Sequence, residues 1–150
     1  MRRKEKEIVE RERLMSILER SRTVRLGLSD GDEPYVVPVS FGVEGNAIYV
    51  HSAPEGRKLD VIRKTPMVCF EVDEGELRVK GEPCTWGMRY ESVIGWGRAK
   101  IIEEREAKEA GLGAIVRHYG ASPPFRFDDS IDRTVVIRIE IERMTGKASS

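Results

Sequence analysis

Two features that define large classes of proteins are missing from this 150-residue sequence: an excess of one charge and a long apolar run. Lys and Arg together number 26, as do Asp and Glu, so the formal net charge is zero. Proteins that bind nucleic acid through their overall field carry a basic excess, so no nucleic-acid partner is expected. No apolar stretch approaches the roughly 20 residues that span a bilayer, so no membrane partner is expected either.

Cysteine and histidine are also scarce, with two of each. Cys69 and Cys84 form neither a CxxC pair nor a zinc-site spacing, and His51 lies far along the chain from His118. We therefore expect no metal site. This cysteine usage fits a reducing compartment, and residues 1–13 lack the apolar segment of a secretory signal, so a cytoplasmic protein is expected.

Hydrophobic periodicity predicts a chain made mainly of short strands. The six predicted strands cover residues 23–28, 35–43, 47–51, 67–72, 90–102 and 134–141. Helices are expected at 10–20, 56–64 and 103–119, the last weakened by Gly111 and Gly113. No linker divides the chain, so residues 1–150 are expected to form a single domain in which residues 1–7 are a disordered arm. Short turns and few βαβ alternations favour a mainly β (α+β) fold, a small antiparallel barrel.

Proline and glycine make two of these strand predictions more specific. Pro34 and Pro38 cannot donate to a β-ladder, so their strand is expected at a sheet edge or with free amides near Pro38. Gly95 and Gly97 interrupt the longest strand and predict a bend or bulge of the kind that a closing barrel needs.

The segment that carries most chemistry follows the strand ending in His51 and Ser52. A tight turn leads there to a predicted helix that starts with Gly56, Arg57 and Lys58. Free amides at a helix start, together with two cations, form a receptor for a phosphate dianion. Cations at this end oppose the helix dipole unless an anion is bound, so a ligand is expected. On these residues alone, a solvated turn with surface Arg and Lys remains the alternative.

Taken in order, these motifs resemble the pyridoxamine 5′-phosphate oxidase-like FMN-binding split-barrel superfamily, and within it the branch related to nitroimidazole-resistance proteins. The residues that carry the resemblance are 34–41, 48–53, 56–59, 68–72, 90–93 and 97–99. Their order and spacing agree over about residues 14–102. The resemblance implies a six-stranded antiparallel split β-barrel (Greek key) with short flanking helices.

The resemblance also implies FMN as the cofactor, with the phosphate on Arg57 and Lys58 and the ring along the strand from Val36 to Ser40. Ser92 falls where relatives place a polar flavin contact on a strand from the other subunit, which implies a homodimer with the flavin at the subunit interface. The implied cofactor-binding residues are Val36, Val37, Pro38, Val39, Ser40, Val50, His51, Ser52, Arg57, Lys58 and Ser92.

The implied activity is an oxidoreductase that moves electrons from a reduced nicotinamide cofactor to a small acceptor such as a nitroaromatic or a quinone. His51 is the candidate catalytic residue, as a hydrogen-bond donor to ring or substrate. The C-terminal part lacks the Arg-x-His segment of true pyridoxamine phosphate oxidases, so vitamin B6 oxidation is not expected. A non-catalytic flavin carrier or sensor, and a haem- or deazaflavin-binding relative, remain alternatives.

Overall fold

The computed structural model describes residues 3–149, and its framework is one sheet of eight antiparallel strands. The strands are β1 (Glu7–Ile8), β2 (Val24–Asp30), β3 (Glu33–Val39), β4 (Phe41–Glu44), β5 (Ala47–Ser52), β6 (Met67–Arg78), β7 (Gly87–Ile102) and β8 (Val135–Ser149). The helices are α1 (Arg11–Arg20), α2 (Arg57–Lys64) and α3 (Arg105–His118). Short 3₁₀ turns cover Lys4–Lys6, Pro83–Thr85 and Asp129–Arg133.

The sheet curls because of how its two edges are connected. The strand order is β3-β2-β6-β7-β8-β5-β4, with β1 added beside β8. β3 and β4 therefore lie at opposite edges, yet only Ser40 separates them in sequence. A connection this short forces the edges together. The predicted mainly β, antiparallel class is confirmed, and so is the edge position of the strand that contains Pro34 and Pro38.

The number of strands differs from the predicted six. The strand expected over residues 35–43 is two strands, because the chain turns at Ser40 to pass from one sheet edge to the other. The eighth strand, β1, begins at Glu7, the last residue of the segment 1–7 that was predicted to be a disordered arm. Glu7 and Ile8 pair there with Lys147 and Gly146 of β8, and burial of the Ile8 side chain stabilises the pairing. Residues 1 and 2 lie outside the described residues.

Strands β6 and β7 extend well beyond their predicted ends at residues 72 and 90. They pair from Met67 opposite Arg98 to Arg78 opposite Gly87. Strand β8 pairs with β7 only as far as Tyr90, which lies opposite Ser149. We call residues 76–89 the β6–β7 arm, because its strands pair there only with each other among the described residues.

Glycines allow the closest packing in the fold. A Cβ on Gly95 would overlap the buried ring of Phe70 inside the barrel, and the register of β7 and β8 shifts between Trp96 and Gly97, which confirms the predicted bulge. Helix α3 lies on the outer face of β4, β5 and β8. A Cβ on Gly111 would lie 2.7 Å from Cγ1 of Val136. Gly111 lowers helix propensity but permits this contact, which explains why the helix forms.

The core fills the interior of the curled sheet. Helix α1 contributes Leu14, Ile17 and Leu18, and helix α2 contributes Leu59, Val61 and Ile62. The strands contribute alternate residues, of which Phe41, Val50, Phe70 and Ile139 are fully buried. Both helices therefore have their positions fixed by apolar burial, and α2 holds its first turn at the surface.

Candidate functional site

Strand β3 presents alternate residues to the outside. Val36, Pro38 and Ser40 are exposed, with 63% of the Val36 surface accessible, whereas Val37 and Val39 face the core and are half-buried. Of the five residues predicted to lie along a flavin ring, three therefore offer side chains to a ligand. Since β3 is an edge strand, one side of its backbone is also free among the described residues.

At the end of β5, the three residues predicted to bind the cofactor also differ in exposure. The Val50 side chain is fully buried in the core and can contact no ligand. His51 is exposed and Ser52 is half-buried. Opposite His51 in the sheet is Val136, which packs under α3, so His51 lies on the outer face near that helix.

Helix α2 is preceded by Gly56, whose backbone conformation only a residue without a side chain adopts readily. Gly56 has φ 139° and offers no side-chain cap. The first bonds of the helix run from the Leu59 and Asp60 amides to the Gly56 carbonyl, at 3.0 and 3.3 Å. The amides of Arg57 and Lys58 precede these bonds and have no helical partner. A helix start with free amides is therefore present at the predicted position.

Arg57 differs from the expectation of a guanidinium free to hold phosphate. Its Nε lies 3.1 Å from Oδ2 of Asp30, and its Nη2 lies 2.9 Å from Oε2 of Glu33. Its guanidinium also lies 4.7 Å from the centre of the Tyr35 ring. The hydrogen bonds that Arg57 donates to Glu33 and, next in importance, to Asp30 raise the pKa of its guanidinium. An anion would therefore have to compete with two carboxylates of the β2–β3 hairpin.

Lys58 is the uncompensated cation at this helix start. Its side chain is half-buried, and burial lowers the pKa of its ammonium. No carboxylate oxygen lies within 4 Å of the ammonium among residues 3–149. Burying a charge without a partner is unfavourable, so this position favours a bound anion.

Ser92 lies apart from the other predicted residues within one chain. It is half-buried on the outward face of β7, between Asp73 of β6 and Lys147 of β8. Two strands separate β7 from β3, which places them about 14 Å apart along the sheet. Within one chain, Ser92 is therefore not on a strand that neighbours β3.

The outward face around Ser92 is open and mixed in character: Arg25 pairs with Glu71 and Asp73 there, beside several exposed apolar side chains. Ile94 is 40% exposed, and Leu77 and Met88, which oppose each other in the β6–β7 arm, are about half exposed. Trp96, further along β7, is covered by the Arg143 guanidinium at 3.6 Å from the ring centre. The predicted strands 67–72 and 90–102 leave out residues 73–89, so the sequence did not predict the part of this surface that the arm contributes.

A cavity of about 380 Å³ lies beside His51, under α3 and the segment 126–134. Its lining includes Arg126, Phe127 and Asp128, none of which the sequence identified as functional. Their only sequence signal is an Arg between two phenylalanines in a loop. A larger groove of about 780 Å³ lies between the N-terminal segment, α1 and the start of the arm, and contains none of the predicted flavin residues.

Residues 3–149 contain no group of three His, Cys, Asp or Glu side chains placed to hold a metal ion. None of their helices combines the length and the apolar character needed to cross a bilayer.

Comparison with known proteins places these features in one family. A family profile described as pyridoxamine 5′-phosphate oxidase matches residues 10–148. An uncharacterized protein of Rhizobium meliloti is 26% identical over 156 residues, covering 95% of this chain and 94% of that protein.

Two solved structures share the fold over nearly the whole chain. A candidate 5-nitroimidazole antibiotic resistance protein from Bacteroides thetaiotaomicron superposes with a TM-score of 0.84 at 32% identity, covering 94% of this chain and 85% of that one. A FAD- and haem-binding protein from Mycobacterium smegmatis has a TM-score of 0.84 at 20% identity, covering 97% and 74%. The predicted split-barrel fold is thereby confirmed.

Proposed function

The chain belongs to the pyridoxamine 5′-phosphate oxidase family, and we propose that it is an FMN-binding flavoprotein that acts as an oxidoreductase. One observation carries the proposal: the half-buried Lys58 ammonium lacks a protein counter-charge and lies at the free amides of the α2 start. A phosphate dianion supplies that counter-charge. The Mycobacterium smegmatis relative is described as binding FAD and haem, which supports a flavin.

The remaining residues fit the rest of FMN. Lys58 and the amides of Arg57 and Lys58 would hold the phosphate, with Arg57 fixed beside them by Asp30 and Glu33. The exposed Val36 and Pro38 would pack on the apolar ring, and the free edge of β3 would offer backbone groups to its polar rim.

The assembly we propose is a homodimer with the flavin at the subunit interface. Within one chain, β2 and β6 separate the strand of Ser92 from β3, so a second copy would bring Ser92 to the ring. The exposed apolar side chains of Leu77, Met88 and Ile94 would be covered in such a dimer.

Held by Lys58 and β3, FMN would supply the redox chemistry that links a reduced nicotinamide to a small acceptor such as a nitroaromatic or a quinone. The chain binds and orients it, and no side chain has to act as a covalent catalyst. Exposed on the outer face, His51 would donate a hydrogen bond to the ring or the acceptor.

The visible spectrum of the purified protein tests the cofactor. We expect flavin absorbance, or its appearance on titration with FMN, and release of FMN when the protein is denatured and the flavin is chromatographed. Released FAD would replace FMN in the proposal, and a Soret band without flavin would favour the haem alternative. A protein that takes up no flavin contradicts the proposal.

Turnover separates an oxidoreductase from a flavin carrier. We expect steady-state oxidation of NADH or NADPH with a nitroaromatic or quinone acceptor, at a rate above that of free FMN. A rate equal to that of free FMN would contradict the enzymatic part and leave a carrier.

A further inference from the structure

The cavity beside His51 has the construction of a small-molecule site. It holds about 380 Å³, within the range of ligand pockets in proteins. Its apolar walls include Leu112 and Val116 of α3 and Phe127 of the following segment. Neither Arg57 nor Lys58 lines it, so it is separate from the proposed phosphate position.

The side chains of Asp128 and Thr134 and the backbone of Ser130 are already engaged in bonds within the local fold. Asp128 accepts a bond from the Ser130 amide at 2.9 Å, and its bonds with Ser130 lower the pKa of its carboxyl group. The Thr134 hydroxyl donates to the Ser130 carbonyl at 3.1 Å. These groups fix the 3₁₀ turn Asp129–Arg133, and they keep Asp128 ionised at neutral pH.

The two side chains of this lining that can carry a positive charge, those of Arg126 and His51, are free to bind a ligand. Among residues 3–149, Arg126 forms no ion pair and neither side chain forms a hydrogen bond with the protein. Both are exposed and both line the cavity. An unpaired guanidinium beside an apolar wall suits a ring that carries one carboxylate, which it can bind through two parallel hydrogen bonds.

We propose that this cavity binds a small aromatic carboxylate. Its ring packs against Leu112, Val116 and Phe127, and its carboxylate pairs with Arg126 while His51 donates a further hydrogen bond. The ionised carboxyl group of Asp128 limits the ligand to one negative charge, because it repels a second negative group. Calling this ligand a redox substrate rests on the proposed function, but its binding does not.

Calorimetric titration with benzoate, and with neutral benzamide as the isosteric control, tests the proposal on the protein as purified. We expect benzoate to bind about tenfold more tightly than benzamide. Arg126→Gln should weaken benzoate binding about tenfold and leave benzamide binding unchanged. Asp128→Asn retains a capping side chain and should strengthen benzoate binding, because it removes the opposing charge.

Three results would overturn the proposal: no binding of benzoate, equal binding of benzoate and benzamide, or unchanged benzoate binding in Arg126→Gln. Equal binding would mean that the cavity selects a ring and not a charge, as for nitrobenzene or benzoquinone. The flavin spectrum of each sample keeps the two proposals separate. Benzoate binding without flavin uptake contradicts only the proposed function, whereas flavin uptake without benzoate binding contradicts only this inference.

Discussion

Arg57 and Lys58 are neighbours in sequence, but they differ in what already balances their charge. The guanidinium of Arg57 is held by Asp30 and Glu33, whereas the ammonium of Lys58 has no carboxylate within 4 Å among the described residues. A new anion gains most where a charge is desolvated and unpaired. The phosphate contact should therefore depend on Lys58 more than on Arg57.

Lys58→Ala should weaken FMN binding at least tenfold, because it removes a charge-assisted contact worth roughly 1.5–3 kcal/mol. Riboflavin, which lacks the phosphate, should bind with unchanged affinity. Flavin fluorescence titrations measure both. Lys64→Ala, at the other end of α2, is the matched control and should leave FMN affinity unchanged. A larger loss in Arg57→Ala than in Lys58→Ala, or an equal loss for riboflavin, would disprove the assignment.

The sequence was sufficient to find this helix start but not to rank its two cations. The cues were local: a glycine, two cations and a strand that ends just before them. The partners of Arg57 lie 27 and 24 residues earlier in the chain, at the turn of the β2–β3 hairpin. Hairpin packing against α2 brings them together, and periodicity does not encode that packing. Arg126 was missed for a related reason, since nothing local marks a loop as the wall of a cavity.

Among the elements, α3 shows best how tertiary contact overrides local propensity. The predicted helix 103–119 is observed as Arg105–His118 despite Gly111 and Gly113. Gly111 faces the sheet, where a Cβ would lie 2.7 Å from Val136 and 2.8 Å from Tyr49. Gly113 faces the Phe125 ring at 3.3 Å, and that ring lies in a loop that can yield.

Gly111→Ala should destabilise the fold by about 1–3 kcal/mol, because the overpacking at Val136 and Tyr49 exceeds the gain in helix propensity. Gly113→Ala is the matched control in the same helix and should cost less, or stabilise by up to about 1 kcal/mol. Urea unfolding of both variants measures the difference. Equal stabilities would mean that α3 does not pack closely on β5 and β8.

The join between α1 and β7 is electrostatic and should depend on pH. Glu91 accepts a bond from Arg13 at 2.7 Å and pairs with Arg20, and the Arg13 bond is the main cause that lowers its pKa. A lowered folded-state pKa gives stability that is complete above the unfolded value of about 4.3 and is lost as pH falls through the folded value.

Glu91→Gln should therefore cost about 0.5–1 kcal/mol at pH 7, as expected for a partly exposed network, and progressively less below about pH 4. Urea unfolding at pH 7 and pH 3 measures the change, and added salt should reduce the difference at pH 7. Glu109→Gln, which removes a surface pair with Arg105, is the control for a general effect of charge. A difference that does not change with pH would contradict the role of the ionised carboxylate.

For the whole molecule, the two halves of the sheet differ in what covers their outer face. Helix α3 packs on β4, β5 and β8, as the close contacts of Gly42 and Gly111 require. The outward residues of β3, β6 and β7 have no such cover among the described residues, so Val36 and Ile94 are exposed. This face combines exposed apolar side chains with the ion-paired Arg25, Glu71 and Asp73, and interfaces between protein copies combine apolar and charged groups in this way. This distribution favours a second copy on the β3–β7 side, the side that also carries Ser92.

Ile94→Arg tests that assembly, because it places a charge in the middle of the open face without touching the core. We expect the dimer to dissociate, because an unpaired charge buried in an interface is strongly unfavourable. FMN affinity should fall with it, since the Ser92 contact is lost. Sedimentation velocity and FMN titration on the same sample measure the two effects.

Val9→Arg is the control, because Val9 is 72% exposed and lies in no sheet strand, so assembly and affinity should be unchanged. A dimer that survives Ile94→Arg would place the interface elsewhere, and a monomer with full FMN affinity would remove the second copy from the flavin site.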